Sequence, residues 1–151
     1  MLRREDPPKV PNSAVRTLYG VVTRGYGHAS RTLERARPRV SELMGLNEMC
    51  PGTLNVRLDQ DYQMQNTIVL LPREVNDVDE LVLQRCRVGG FRCVLVRPYR
   101  DQPHPGWNSN PPNVLEIMSE RLLCGELGLA AGSPVEVEVE GTDAWWFKLD
   151  E

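Results

Sequence analysis

The alternation of valine and glutamate at residues 135–140 sets the strongest limit on how this chain of 151 residues can fold. Successive side chains of a strand point to opposite faces, so this run places every valine on one face and every glutamate on the other. A helix would spread both residue types around its circumference. The run therefore predicts a half-buried β-strand whose glutamates form a solvated face rather than a site.

Shorter segments rich in β-branched, aromatic or alternating apolar residues occur along most of the chain. Strands are predicted at Val15–Val22, Thr53–Leu58, Asn66–Leu71, Val82–Arg87, Phe91–Val96 and Trp145–Leu149. Gly89 and Gly90 separate two of these segments, and two consecutive glycines between strands predict a hairpin.

One helical segment is predicted at Ser30–Met44, where apolar residues fall near helical spacing. Ser30 is a suitable N-cap, and Gly45 is suitable for the C-terminal end. Pro38 interrupts the pattern because proline lacks the amide N–H of a helix interior. We therefore expect a short first turn followed by a second helical piece.

The second helical segment is predicted within residues 114–127, which should begin as a strand and pass into a helix that Gly128 closes. Residues 101–113 contain four prolines and are expected to form a loop. Strands and helices do not alternate regularly. The pattern therefore indicates a mostly β fold, a small and mostly antiparallel barrel of six or seven strands with two helical segments.

Length and composition suit one domain over residues 14–151, preceded by a flexible tail at 1–13. The net charge of −3 conceals an uneven distribution, because residues 1–40 are basic and residues 116–151 are acidic. Apolar runs are too short to span a bilayer, and the four cysteines lack metal or redox spacing. We expect a soluble, cytoplasmic protein. Two lysines form no basic stripe, which disfavours nucleic acid as a partner.

Familiar metalloprotease, P-loop and hydrolase motifs are absent from the sequence. The short loop from Thr23 to His28 is a better candidate, because it follows a predicted strand and leads towards a helix. It holds Arg24, Gly25, Tyr26 and Gly27. Glycines let backbone N–H groups approach a phosphate closely, although two glycines are also common in an ordinary turn.

Thr53 and Asn55 follow the turn residues Pro51 and Gly52 and lie two positions apart on a predicted strand. Both side chains should point to one face, where hydroxyl and amide oxygens could bind Mg²⁺ together with phosphate oxygens. The alternative is a solvent-facing junction between turn and strand.

Glu116 lies inside an apolar run, so its carboxylate should emerge where the strand ends. It could accept a hydrogen bond from a ligand, or it could be a surface acid.

Taken in order, these segments resemble the archaeal-type CTP-dependent riboflavin kinases over roughly residues 18–140. The resemblance is carried by the glycine loop at 25–27, Pro-Gly-Thr-Leu-Asn-Val-Arg-Leu at 51–58, Val-Leu-Glu-Ile at 114–117, and Leu-Gly-Leu at 127–129 leading into 135–139. It implies a cradle-loop barrel and a kinase that uses CTP to phosphorylate riboflavin, giving FMN.

The resemblance also implies residue roles. Thr53 and Asn55 match Mg²⁺ ligands, and Glu116 matches an acid that contacts the flavin and is our candidate catalytic base. The residues that match nucleotide contacts are Thr23, Arg24, Gly25, Tyr26, Gly27, His28 and, in a second segment at 121–124, Arg121. Asn108 or Ser109 could replace an acceptor-binding threonine of the family. The implied partners are a nucleotide and a small-molecule alcohol, with no nucleic acid and no membrane, in a monomer or small homo-oligomer.

An alternative is a non-catalytic barrel that binds a nucleotide or other ligand, or has a regulatory role. Leu122 and Cys124 stand where the family has basic residues, which is what motivates this second hypothesis.

Overall fold

The computed structural model describes residues 14–24, 30–70, 80–99 and 111–148, which form seven strands and three helices. The strands are β1 Arg16–Thr23, β2 Leu54–Leu58, β3 Ile68–Leu70, β4 Glu80–Val88, β5 Phe91–Tyr99, β6 Val114–Ser119 and β7 Pro134–Val139. The helices are α1 Ser30–Met44, α2 Leu123–Leu127 and α3 Asp143–Phe147. The predicted tail at 1–13 and residues 101–110 of the predicted loop lie outside the described residues.

Six of the strands close into an antiparallel barrel in the order β4, β5, β6, β2, β1, β7, with β7 pairing back onto β4. Strand β4 is nine residues long and pairs with two strands along one edge. Leu81–Leu83 pair with β3, whereas Cys86–Val88 pair with β7. The predicted closed barrel is confirmed, with β3 as an additional strand beside it.

Side chains from one face of each barrel strand fill the barrel interior. Val137 and Val139 of β7 are fully buried there, and Glu136 is exposed on the other face. The valine–glutamate alternation therefore has the predicted one buried and one wet face. Small and branched apolar side chains from the other strands complete this core, among them Val22, Val56 and Ile117.

A second core lies on the outer surface of the barrel, under α1. Ala36, Val40 and Met44 form the buried face of this helix, and they pack with Val94 and Met118 of β5 and β6. Strand β6 is buried at every position except Glu116, which is half-buried.

Helix α1 runs through Pro38 without a break, so the predicted interruption is wrong. Pro38 is exposed, while Ala36 and Val40 on the opposite side are fully buried. Burial of this apolar face offsets the cost of about 3 kcal/mol for a proline in a helix interior. Gly45 has φ +67° directly after the helix, as predicted for its end.

The strand predicted at 145–149 is also wrong, because residues 143–147 form helix α3. The Thr142 hydroxyl caps this helix by accepting a hydrogen bond from the amide of Trp145 at 3.1 Å. The fully buried Trp146 donates its indole N–H to the carbonyls of Cys86 and Cys93 at 3.0 and 3.1 Å. Tryptophan favours strands by propensity, but this tertiary anchoring decides the local structure.

The remaining element predictions agree with the structure, with shifts at element ends. Of the strand predicted at 66–71, Ile68–Leu70 form β3, and Leu71 lies outside the described residues. Gly89 and Gly90 both have positive φ in the hairpin between β4 and β5, and Gly128 adopts the left-handed conformation after α2. Within the described part of the chain, the helices are all too short or too polar to cross a membrane.

Candidate functional site

Three polar residues predicted from the sequence lie in one row across neighbouring strands. Thr23 at the end of β1 pairs with Asn55 of β2, and Asn55 pairs with Glu116 of β6. Residues directly opposite one another on antiparallel strands point to the same face. Their strand neighbours Val22, Leu54 and Ile117 belong to the barrel interior, so the row lies on the outer face of the barrel.

Thr53 joins this row because β2 and β6 separate just before β2 begins. The strands are paired at Leu54 and Ile117 and meet again where the amide of Cys50 donates to the carbonyl of Ser119 at 2.8 Å. Residues 51–53 therefore bulge outward opposite a single residue of β6. Gly52 has φ +83° in this bulge, a conformation that glycine adopts without strain.

The bulge brings the hydroxyl of Thr53 to the carboxylate of Glu116. Thr53 Oγ1 donates a hydrogen bond to Glu116 Oε2 at 3.0 Å. Burial raises the pKa of Glu116 above its ordinary value, and the hydrogen bond from Thr53 acts in the opposite direction. Desolvation therefore outweighs this one donor, and Glu116 holds a proton more readily than a surface glutamate.

The donor set beside Glu116 fits a hard cation. The Thr53 hydroxyl donates its hydrogen bond to Glu116, so the lone pairs of the Thr53 oxygen can face a metal, and Asn55 supplies an amide on the same face. Over the described ranges, no three His, Cys, Asp or Glu side chains cluster as a metal site. A cation held here would therefore take few of its oxygen ligands from the protein and the others from a bound group such as a phosphate.

A cleft of about 240 Å³ opens between the diverging segments of β2 and β6. One wall is residues 50–54, including Thr53, and the other includes Ser119 and the segment 121–124. Arg121 lines this wall, with its guanidinium 5.0 Å from the centre of the Phe91 ring and 3.6 Å from the carboxylate of Glu126. The structure thus places a hydroxyl and a cation predicted from distant parts of the sequence on one cleft.

The other predicted site residues are placed only in part. Arg24 directly follows β1 and is exposed next to Thr23. The flanking elements agree with the prediction of a strand before this segment and a helix after it, because β1 ends at Thr23 and α1 begins at Ser30. The remaining candidates lie outside the described residues: Gly25, Tyr26, Gly27, His28, Asn108 and Ser109.

Glu120 is a residue of this region that sequence reasoning missed. Its Oε2 accepts a hydrogen bond from the amide of Asn47 at 2.6 Å, and its Oε1 lies 3.7 Å from the guanidinium of Arg92. The sequence shows only an acid that follows an apolar strand. Its partner Asn47 is 73 residues away along the chain, so no local pattern could have indicated the contact.

Comparison with known proteins finds relatives of one kind. No protein-family model matches the chain. It is 30% identical over 129 residues to a riboflavin kinase of Methanocella arvoryzae, covering 82% of this chain and 56% of the relative. It is also 30% identical over 139 residues to a riboflavin kinase of Pyrobaculum arsenaticum, covering 85% and 62%.

A third relative is a riboflavin kinase of Archaeoglobus fulgidus, 30% identical over 124 residues, with 76% of this chain and 50% of the relative covered. The chain therefore spans between 50% and 62% of the length of the curated relatives it matches. The similarity extends over most of this chain.

Proposed function

We propose that this chain is a member of the riboflavin kinase family and transfers a phosphoryl group from CTP to a hydroxyl of riboflavin, giving FMN, or of another small-molecule alcohol. The observation that carries the proposal is the convergence of Thr53, Asn55 and Glu116 beside the cleft that Arg121 lines. The similarity to riboflavin kinases of three archaea supports the class of reaction and the acceptor.

Thr53 and Asn55 are the residues that would hold Mg²⁺ in this proposal. When bound, the ion neutralises phosphate charge during transfer. The chain's own contribution is placement, because the bulge at 51–53 and the register of β2 put both oxygen-bearing side chains on the outer face next to Glu116.

Cationic and backbone donors supply the remaining phosphate contacts. Arg121 lies across the cleft from Thr53, where a guanidinium fits phosphate oxygens. Thr23 ends β1 in the same row as Asn55, and the predicted phosphate loop, Arg24 to His28, follows it directly. Phosphoryl transfer depends on such positioning and charge stabilisation more than on covalent help from the protein.

Glu116 is the proposed acceptor-binding residue and catalytic base. Its Oε2 is engaged by Thr53, and Oε1 can accept a hydrogen bond from the acceptor hydroxyl. As the acceptor oxygen bonds to the γ-phosphorus, the bond from that phosphorus to the bridging oxygen breaks and the hydroxyl proton passes to Glu116. CDP and the phosphorylated alcohol are the products.

The test is to incubate the protein with Mg²⁺, riboflavin and each of the four nucleoside triphosphates, and to measure FMN and nucleoside diphosphate. We expect FMN with CTP, and a loss of about 100-fold or more in Asn55→Ala. Arg57→Ala is the matched control, since Arg57 lies two residues after Asn55 and on the same face of β2. Diphosphate release with another alcohol but not with riboflavin would show that the protein is a kinase whose acceptor is not riboflavin.

A second function is a barrel that binds a nucleotide without catalysis. Leu122 is 64% exposed and, with Cys124, lines the cleft at the two positions where the resemblance predicts basic residues. Calorimetry with CTP and Mg²⁺ distinguishes the two functions. Binding that depends on Asn55, with no FMN or diphosphate formed under any condition, favours the binding barrel.

A further inference from the structure

We propose that Glu120 is a positioning residue for the cleft, fixing the lead segment, residues 47–53, from which Thr53 reaches the metal–nucleotide complex. This inference rests on the proposed function, because it concerns how that site is held. Glu120 itself acts through Asn47 and the lead segment rather than by touching the reacting groups.

Both carboxylate oxygens of Glu120 have partners on opposite sides. Oε2 accepts the amide N–H of Asn47 at 2.6 Å, and Oε1 lies 3.7 Å from Nη2 of Arg92. The side chains of Glu120 and Arg92 are only 12% and 18% exposed, so water screens this ion pair weakly, whereas the hydrogen bond from Asn47 lies at an exposed position. The Arg92 guanidinium also lies 5.9 Å from the ring of the fully buried Trp146. Glu120 thus links the lead segment to the second core.

The lead segment also meets the backbone at the end of β6. The amide of Cys50 donates to the carbonyl of Ser119 at 2.8 Å, and the Cys50 thiol donates to the carbonyl of Glu120 at 3.2 Å. These two contacts use backbone acceptors and do not depend on which side chain stands at position 120. The hydrogen bond to Asn47 is the contact that does.

The position of Thr53 depends on this attachment because the lead segment is no longer paired with β6 between Cys50 and Leu54. Residues 51–53 bulge away from β6 and form one wall of the cleft before pairing resumes at Leu54. A bulge keeps its shape when both of its ends are fixed. Register with β6 fixes one end, and Asn47, Cys50 and Glu120 fix the other. Loss of the Asn47 contact would let the cleft wall and the Thr53 hydroxyl shift relative to Glu116.

Two substitutions at position 120 test the length of the side chain and its charge separately. Glu120→Gln removes the charge but keeps an oxygen at the same distance, which can still accept the amide of Asn47. Glu120→Asp keeps the charge but withdraws the carboxylate by one methylene group. Glu48→Ala is the matched control, since Glu48 is exposed in the lead segment and borders the wider opening beside the cleft. Loss of an acid there should not weaken the binding of a polyanion.

The measurements are calorimetric binding of Mg²⁺-CTP and thermal unfolding of each protein. We expect Glu120→Asp to weaken binding about tenfold, as is typical when a group that orients a metal ligand is changed. Glu120→Gln and Glu48→Ala should stay within about twofold of the parent protein, even if Glu120→Gln melts earlier through loss of the Arg92 pair. Equal binding by Glu120→Asp and the parent, or equal losses in the Asp and Gln variants, would overturn the inference.

Amide hydrogen exchange without ligand keeps this test separate from the proposed function. In Glu120→Asp, the amide of Asn47 should exchange about tenfold faster than in the parent, while those of β7 stay unchanged. A parent protein that binds no nucleotide would contradict the proposed function, and this exchange pattern would still decide the role of Glu120. Unchanged exchange at Asn47 would count against that role whatever the ligand.

Discussion

At the scale of single residues, the buried carboxylate of Glu116 lowers the stability of the folded protein when it is ionised. Burial raises the pKa of Glu116, so the folded protein binds this proton more tightly than the unfolded chain does. The free energy of unfolding therefore falls as pH rises from the ordinary glutamate range through the raised pKa. Above that window the destabilisation is complete, and below it the protonated group imposes none.

Glu116→Gln should remove this pH dependence because an amide does not titrate. We expect the variant to exceed the parent in urea midpoint at pH 8 and to lose the advantage towards pH 4, while FMN formation falls about 100-fold. Urea unfolding curves between pH 4 and pH 8 provide the check, and Glu136→Gln, at an exposed position of β7, is the control. A parallel pH dependence in parent and variant would show that Glu116 does not carry the effect.

Gly52 is the residue whose backbone gives the bulge its shape. At φ +83°, alanine is strained even though a Cβ would meet no atom within 4 Å. We expect Gly52→Ala to lose about 1 kcal/mol of stability and to weaken Mg²⁺-CTP binding at least tenfold, because the bulge must change its backbone conformation. Urea unfolding and calorimetry measure the two effects.

Gly90→Ala is the matched control for that substitution. Gly90 has φ +85° and equally open surroundings, but it lies in the hairpin between β4 and β5. It should lose similar stability and bind the nucleotide normally. Equal loss of binding in both variants would mean that general strain, rather than the shape of the bulge, weakens the site.

At the scale of elements, α3 is held by a buried arginine. Arg87 is 4% exposed, and its Nη1 donates to the carbonyls of Trp145, Trp146 and Lys148 at 3.3, 2.8 and 3.0 Å. Its Nη2 donates to the carbonyl of Gly90. The carbonyls of Trp145, Trp146 and Lys148 lie at the C-terminal end of α3, where no further helical N–H groups follow, so the cation satisfies them and complements the helix dipole.

Arg87→Ala should therefore destabilise the protein by about 3 kcal/mol, because several buried carbonyls lose a charged donor at once. Urea unfolding monitored by tryptophan fluorescence provides the measurement, since Trp146 reports on the same region. Arg57→Ala removes an exposed arginine of β2 and should change stability by less than about 0.5 kcal/mol. A loss of similar size in both variants would contradict the anchoring role of Arg87.

The secondary-structure elements also show which parts of this fold can be predicted from the sequence. Period-two alternation and paired glycines were sufficient for the barrel strands, because these signals are local. Helix α3 has one local signal, its N-cap Thr142, but the contacts that anchor it are with Arg87 and the carbonyls of β4 and β5, more than 50 residues earlier. In the site, Thr53, Asn55 and Glu116 could be identified as residue types, whereas Glu120 depends on a contact between distant segments.

At the scale of the whole molecule, the filled barrel interior confines ligands to its outer surface. Cys86 and Cys93 face the interior and are fully buried, whereas Cys124 is exposed on the cleft. Burial also raises the pKa of the Cys86 thiol and further lowers its reactivity. Cys124 should therefore report on the cleft, and Cys86 and Cys93 on global unfolding.

We expect a water-soluble disulfide reagent to label Cys124 quickly in the native protein and Cys86 and Cys93 only after unfolding. Saturating Mg²⁺-CTP should slow labelling of Cys124 several-fold, because the nucleotide would occupy the cleft that this thiol lines. Peptide mapping identifies the labelled sites, and Cys124→Ser provides the background. Fast labelling of Cys86 in the native protein would show that the barrel interior opens, and undiminished labelling of Cys124 would place the nucleotide elsewhere.

The pairing of β1 with β7 has a consequence for how the protein reaches its native state. Arg16 lies opposite Val139, so the first and last strands of the described chain complete the ring together. Contacts between residues this far apart in sequence give a high contact order, and they place the search for the final pairing late in folding. Refolding in milliseconds to seconds is typical of such β topologies. Until β7 arrives, β1 has one unpaired edge, which makes the partly folded chain vulnerable to association with other copies.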